Sequence, residues 1–333
     1  VNVVRISSPV KLIIQIPCLN EEQTLPQTVA DLPRSIPGVD RIELLVIDDG
    51  STDRTPEVAR ELGVHHLIRF TANKGLARAF SAGIEFSLAN GADIIVNTDA
   101  DNQYCGADVE KLIRPVLEGK ADIVIGDREP QTIAHFSFVK KRLQYWGSWV
   151  VRQLSGTDIP DTTSGFRAYS REAALHLNVV SEFTYTLETI IQAGKLSMTI
   201  THVPVRTNPE LRKSRLFRSI PGYLKRSAAT ILRVYTMYEP LKMFSYLGGG
   251  LIAAGLVPGL RYLYLYAIGE GVGHVQSVVA AAVLIILGFQ VLVLGVLADL
   301  IGSNRKLTEK LLYLSRKVAY QSPSETPQSE KKS

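Results

Sequence analysis

The sequence predicts an α/β chain: a doubly wound, mostly parallel sheet, followed by amphipathic juxtamembrane helices and a two-helix transmembrane hairpin. Three observations predict it. From Lys11 to Gly126, five short runs rich in β-branched residues alternate with four helical patterns, the order expected of stacked βαβ units. Each run ends in a polar cluster, and in such sheets the strand ends gather along one edge. No charged side chain occurs from Phe244 to Leu260 or from Val275 to Leu297.

In order, Lys11–Pro17 reads as a first strand, closed by Cys18-Leu19-Asn20-Glu21-Glu22 and a helix from Thr24 to Leu32. Arg41–Ile47 is a second strand ending in Asp48-Asp49-Gly50-Ser51, with Thr55 as N-cap and Pro56 as first residue of the next helix. His65–Phe70 is a short third strand, followed by Asn73-Lys74-Gly75 and a helix from Leu76 to Leu88. Asp93–Val96 is a buried strand, then come a helix over Asp108–Leu117 and a strand over Asp122–Gly126. Glu182 opens a later helix with Ser181 as its N-cap; Glu182 reads as structural, while Glu188 either caps or lines a binding mouth.

The strand at Asp93–Val96 opens into Asn97-Thr98-Asp99-Ala100-Asp101-Asn102-Gln103-Tyr104. Asp99 and Asp101 can turn toward one hard cation, with Gln103 adding a neutral oxygen, and magnesium or manganese held this way shares its shell with substrate phosphate. An Asp/Asn-rich turn reads equally well from these residues alone. Asn20, Glu22 and Asp49 at neighbouring strand exits suit a base or ribose, and Lys74 before a helix start suits phosphate; each singly is a common turn or cap. The chain contains neither G-x-G-x-x-G after its first strand nor G-x-x-x-x-G-K-[ST], so neither a dinucleotide dehydrogenase nor a P-loop NTPase is supported.

The chain has 333 residues, 46% of them hydrophobic, more than one core requires. As a helix, Val275–Leu297 is long enough to cross a hydrocarbon layer of about 30 Å. The first apolar run continues through Tyr262, Tyr264 and Tyr266, which suit the headgroup zone. Lys225, Arg226, Arg233 and Lys242 precede the hairpin and Arg305, Lys306, Lys310, Arg316 and Lys317 follow it, so both termini are expected in the cytoplasm. Val10–Pro17 is too short for a signal peptide. Cys18 and Cys105 fit packing positions in a reducing compartment. The net charge of +5 clusters beside the apolar runs, pointing to anionic lipid rather than nucleic acid. The expected organisation is a cytosolic catalytic domain (1–213), amphipathic juxtamembrane helices (214–243), a hairpin (244–301, spans 244–266 and 275–300) and a basic helix with a disordered tail (302–333). Packing of the 214–243 stretch against the sheet is the alternative.

Pro17-Cys-Leu-Asn-Glu-Glu22, Ile47-Asp-Asp-Gly-Ser-Thr-Asp53, Asn73-Lys-Gly-Leu76, Asp99-Ala-Asp-Asn-Gln103 and Asp161-Thr-Thr-Ser-Gly-Phe-Arg167 resemble, as an ordered set, the inverting GT-A glycosyltransferases called family 2. Within them the sequence is most similar to the dolichol-phosphate mannose synthase and polyprenyl-phosphate glucosyltransferase group, and the hairpin resembles that of the tetrameric glucosyltransferases. The resemblance implies a divalent cation and transfer of a sugar from a nucleotide diphosphate to a membrane-bound polyprenyl phosphate, by a homo-oligomer. It places base and ribose on Pro17, Asn20, Glu22 and Asp49, donor phosphates near Lys74, donor and cation on Asp99, Ala100 and Asp101, and a further metal contact on Gln103. It sets Arg128 at the acceptor phosphate, with Arg142, Ser164, Arg167, Arg212 and Lys213 as further acceptor-side candidates.

Guanidinium groups bind phosphate bidentately, so the basic residues of the second half fit such an acceptor; a solvated basic face is the alternative. Asp161 is the candidate for orienting acceptor or sugar, for acting as base, or for capping the following turn. A processive polysaccharide synthase is the rival enzyme, although the chain has no Q-x-x-R-W and only two spans. The rival outside enzymes is a silent scaffold for a lipid flippase, against which Asp99, Asp101 and Gln103 argue. A UDP-sugar is favoured as donor, with GDP-mannose as the alternative.

Overall fold

Strand β1 (Lys11–Cys18) is central because it is apolar on both faces: its last seven residues are buried. The structure, a computed structural model, describes residues 9–128, 155–180, 185–209, 235–270 and 273–320, with positions 149, 151, 152, 229, 232 and 233. After β1 come α1 (Leu25–Asp31), β2 (Arg41–Asp48), α2 (Thr55–Glu61), β3 (His66–Arg69), α3 (Leu76–Ala89), β4 (Ile94–Asn97), α4 (Val109–Leu117) and β5 (Ile123–Asp127). They fall within a residue or two of the expected bounds; Arg54 rather than Thr55 is the N-cap of α2, with Pro56 in its first turn.

Two further strands were not expected. β6 (Arg167–Ser170) and β7 (Ile200–Pro204) frame α5 (Arg171–His176) and α6 (Thr186–Lys195). Among the described residues, seven strands run in the order β3-β2-β1-β4-β6-β5-β7. β6 is antiparallel to both β4 and β5, whereas the other pairs are parallel. Its reversal brings the start of β6 to the edge where β4 ends, with Asn97 opposite Arg167. The order also reverses between β1 and β4, and open α/β sheets bind ligands at such a switch point.

One face of the sheet packs Leu12, Ile14, Ile16, Val46 and Val96 against Leu25 and Val29 of α1 and Leu112 and Ile113 of α4. On the other, α3 lies so close to β1 that a Cβ at Gly83 would fall 2.3 Å from Gln15 Oε1. The fully buried Phe80 on α3 contributes about 1.5–3 kcal/mol by leaving water.

Residues 1–231 and 312–333 form one compact unit, and Leu232–Leu311 a second. In the second, α7 (Pro240–Ala267) and the first part of α8 (Val275–Ala319) are both long and apolar enough to cross a membrane. Their buried seam is small residues at heptad spacing, Gly248 and Gly255 against Ala281, Gly288 and Gly295. A Cβ at Gly248 would stand 2.7 Å from Gly288 O. Leu256, Val257, Ile286, Phe289 and Leu297 face outward, more than two-fifths exposed.

Instead of a span followed by a separate basic helix, α8 runs unbroken for 45 residues. Its last turns belong to the first unit: Arg316 donates to Leu177 O at 2.6 Å and to Glu85 at 3.1 Å, and the Tyr313 and His176 rings stack at 3.9 Å. Most of the stretch expected to form juxtamembrane helices, and the tail from 321, lie outside the described residues.

Candidate active site

β4 ends one step before the crevice. Thr98 N–H donates to Gln15 O at 3.1 Å, and β1–β4 pairing stops at Gln15 and Asn97, so Pro17 stands beyond the last pair. The loop that follows is fixed from both sides. Thr28 Oγ1 donates to Ala100 O at 3.0 Å, Asn208 N–H donates to Gln103 O at 2.9 Å, and Tyr104 bridges to Thr207. Asn102 takes a left-handed φ of 56°, turning the chain between Asp101 and Gln103. Asp99 rests against Gly165, where an added Cβ would lie 2.9 Å from both its carboxylate oxygens.

Burial, and then the neighbouring charge of Asp101, push the Asp99 carboxyl up to about 7, against the pull of Arg128. Two carboxylates crowded in this way suit a divalent cation, which relieves their repulsion. No cluster of three or more His, Cys, Asp or Glu occurs among the described residues. Asp99, Asp101 and Gln103, the expected ligands, share one loop, and their side-chain oxygens are of the kind a hard ion takes.

The expected donor-side residues converge on this edge, but three serve first to tie loops. Asn20, at φ 54°, accepts Thr52 N–H at 2.8 Å, and Glu22 accepts Arg54 N–H at 3.0 Å. Asp49 accepts the N–H groups of Lys74 and Gly75 at 2.7 and 2.9 Å; burial raises its pKa despite those bonds. Gly50 (φ 75°) lets the β2 and β3 exits meet, since a Cβ there would stand 2.5 Å from Ala72 C. Pro17 is buried near the end of β1, and exposed Lys74 places its Nζ 5.0 Å above the Phe70 ring.

Arg128, expected at the acceptor phosphate, leaves β5 and is gripped by Asp161, Nε to Oδ2 at 2.7 Å and Nη2 to Oδ1 at 3.0 Å, with Thr163 Oγ1 at 2.9 Å. Asp161 is fully buried, and although burial favours its neutral form, Arg128 and Thr163 hold it below the usual carboxylate range. Of the three roles expected of Asp161, orienter, base or cap of the following turn, its burial and its pairing argue against a base, while its Oδ1 accepts Thr163 N–H at 3.3 Å as a turn cap does. Arg167 is a correction. It is fully buried and donates to the carbonyls of Ser164, Thr186 and Thr162 and to Thr189 Oγ1, all at 2.7–2.9 Å, so it builds the loop instead of meeting phosphate. Ser164 is likewise fully buried. Glu188 caps Val180 N–H at 3.1 Å. Arg142, Arg212, Lys213 and Glu182 lie outside the described residues.

Sequence reasoning missed Asn97, Tyr104 and Tyr185, whose polar atoms meet at Gly165. A signal existed. Gln15 and Asn97 are amides inside otherwise apolar strands, and a buried amide requires partners.

Comparison with known proteins gives the family. The model for glycosyl transferase family 2 matches residues 13–177. An undecaprenyl-phosphate mannosyltransferase of Micrococcus luteus is 30% identical over 219 residues, 62% of this chain and 88% of its own. Glycosyltransferase AglJ of Haloferax volcanii is 28% identical over 304 residues, 89% of this chain and 95% of its own. Glucosyl-3-phosphoglycerate synthase from Mycobacterium tuberculosis, solved with Mn2+, UDP and phosphoglyceric acid, has the same fold: TM-score 0.54 at 21% identity, covering 68% of this chain and 78% of that one.

Proposed function

Since the chain belongs to glycosyl transferase family 2 and has the GT-A fold, we propose that it is an inverting, metal-dependent hexosyltransferase. It moves a sugar from a nucleotide diphosphate, a UDP-sugar in preference to GDP-mannose, to a polyprenyl phosphate in the membrane. The observation that carries this is the meeting, at one sheet edge, of the Asp99–Asp101 pair and a guanidinium locked by Asp161. The mannosyltransferase relative supports the acceptor class.

Asp99, Asp101 and Gln103 would hold Mg2+ or Mn2+, which when bound supplies positive charge for the leaving diphosphate. Lys74 stands at the rim for the donor phosphates, and Pro17 with the backbone of the Asn20 and Asp49 loops receives base and ribose. Arg128, denied rotation by Asp161 and Thr163, presents charge to the acceptor phosphate. That phosphate, with a second ionisation near about 6, is largely deprotonated at neutral pH and needs no protein base. Catalysis is then positioning and charge stabilisation for in-line attack on the anomeric carbon. α7 and α8 cross the cytoplasmic membrane with the catalytic unit and both termini on the cytoplasmic side, the side rich in Lys and Arg, and the assembly is a homotetramer.

The test is purified full-length protein with a panel of labelled nucleotide sugars and a short-chain polyprenyl phosphate. The expected result is cation-dependent transfer, lost in Asp101→Asn. No lipid-linked product from any donor, or unchanged turnover and metal dependence in that variant, refutes the proposal.

A further inference from the structure

Gly165 is held by three side chains that the reaction itself does not use. Its N–H donates to the Tyr104 phenol oxygen at 3.0 Å. Its carbonyl accepts from Asn97 Nδ2 at 2.9 Å and from the Tyr185 hydroxyl at 3.3 Å. Asn97 Nδ2 also donates to the Tyr185 oxygen at 2.8 Å, and its Oδ1 accepts Gln15 Nε2 at 2.9 Å. Gln15, Asn97 and Tyr185 are fully buried, and Tyr104 is 5% exposed.

Neither phenol can swing. The Tyr185 ring stacks flat on Phe80 at 3.9 Å, and the Tyr104 ring stacks on Phe166 at 5.0 Å. The remaining side of Gly165 faces Asp99, at a distance that leaves no room for a side chain. Gly165 is thus a wall against which the Asp99 carboxylate lies, and buried hydrogen bonds keep the wall in place. Groups behind a metal ligand commonly control its affinity by fixing its direction.

We propose that Tyr185 and Asn97, with Tyr104, are positioning residues for the site: they fix Gly165 as a backstop that aims Asp99 into the crevice and so set its affinity for a divalent cation. This rests on Asp99 being a cation ligand, as proposed above. The effect of the three passes through one peptide unit, which separates them from residues that merely stabilise the sheet.

The test is Mn2+ titration of the full-length protein by electron paramagnetic resonance, without donor, on wild type, Asp99→Asn, Tyr185→Phe and Gly165→Ala. Tyr185→Phe keeps the stack on Phe80 and deletes only the hydroxyl. It is expected to bind Mn2+ about tenfold more weakly, with turnover recovering at saturating Mn2+ and acceptor KM unchanged. Gly165→Ala, which crowds Asp99 from the same side, is expected to weaken Mn2+ at least as much. Mn2+ affinity unchanged in both variants, while Asp99→Asn abolishes binding, overturns this inference alone. Absence of Mn2+ binding by wild type, with full turnover in Asp99→Asn, overturns the reading of the site and this inference with it.

Discussion

Asp161 holds Arg128 in a fork: both carboxylate oxygens accept from the guanidinium, at 2.7 and 3.0 Å, and the acid is wholly buried while the arginine side chain is 15% exposed. The acid is thereby the buried support of an arginine that keeps a small part of its side chain accessible. Several consequences of such placements can be measured.

Asp161→Asn leaves Arg128 charged and half held. Acceptor kcat/KM is expected to fall by about tenfold or more with donor affinity retained, and stability by about 3 kcal/mol. Steady-state kinetics with each substrate varied, together with urea unfolding, checks both. Because Asp161 titrates below the usual range, no acid limb of the pH–rate profile near neutrality should be assigned to it.

Arg167→Lys replaces a fork bonded to three carbonyls and a hydroxyl with a single ammonium. The expected loss is at least about 2 kcal/mol, from carbonyls left without donors. Thermal unfolding should show it, while the ratio of variant to wild-type acceptor KM stays near one. A large rise in acceptor KM at unchanged stability would return Arg167 to the phosphate site.

Glu43, 1% exposed, sits among Lys11, Arg41 and His66. Burial works to raise its pKa, but hydrogen bonds from Lys11 and His66 and the charges of Lys11 and Arg41 bring it below 4.5. A depressed folded pKa means stability fully present above the unfolded value and lost as pH falls through the folded one. The urea midpoint of wild type should therefore fall on acidification below about pH 4.5, and that of Glu43→Gln should fall less over the same window.

Arg316→Ala removes the bonds to Leu177 O and Glu85 that fasten the end of α8 to the catalytic unit. Amide exchange should quicken in residues 175–180 and 312–320, and stability should fall by about 1–3 kcal/mol. Unchanged exchange in both segments would show that the seam is held elsewhere.

Much of the first half was legible because its signals are local. Strands β1, β2, β4 and β5 are largely buried on both faces and read as continuous apolar runs, β3 is a short half-buried edge strand, and the helices between them repeat at helical spacing. β6 and β7 escaped notice: Arg-Ala-Tyr-Ser and Ile-Thr-His-Val-Pro are four and five residues long and carry no clean alternation. They are strands because β4 and β5 offer them partners.

The sequence by itself determined the α/β class, the polar strand exits, the Asp99–Asp101 pair and the two apolar helices, since each depends on neighbours along the chain. Only the tertiary structure decided which charges are free to act. Arg128 and Arg167 look alike in one dimension, yet one keeps part of its side chain accessible in a carboxylate fork while the other is enclosed by carbonyls. Burial and the presence of a partner decide whether a charge binds substrate or holds a loop, and both are set by residues far apart in sequence.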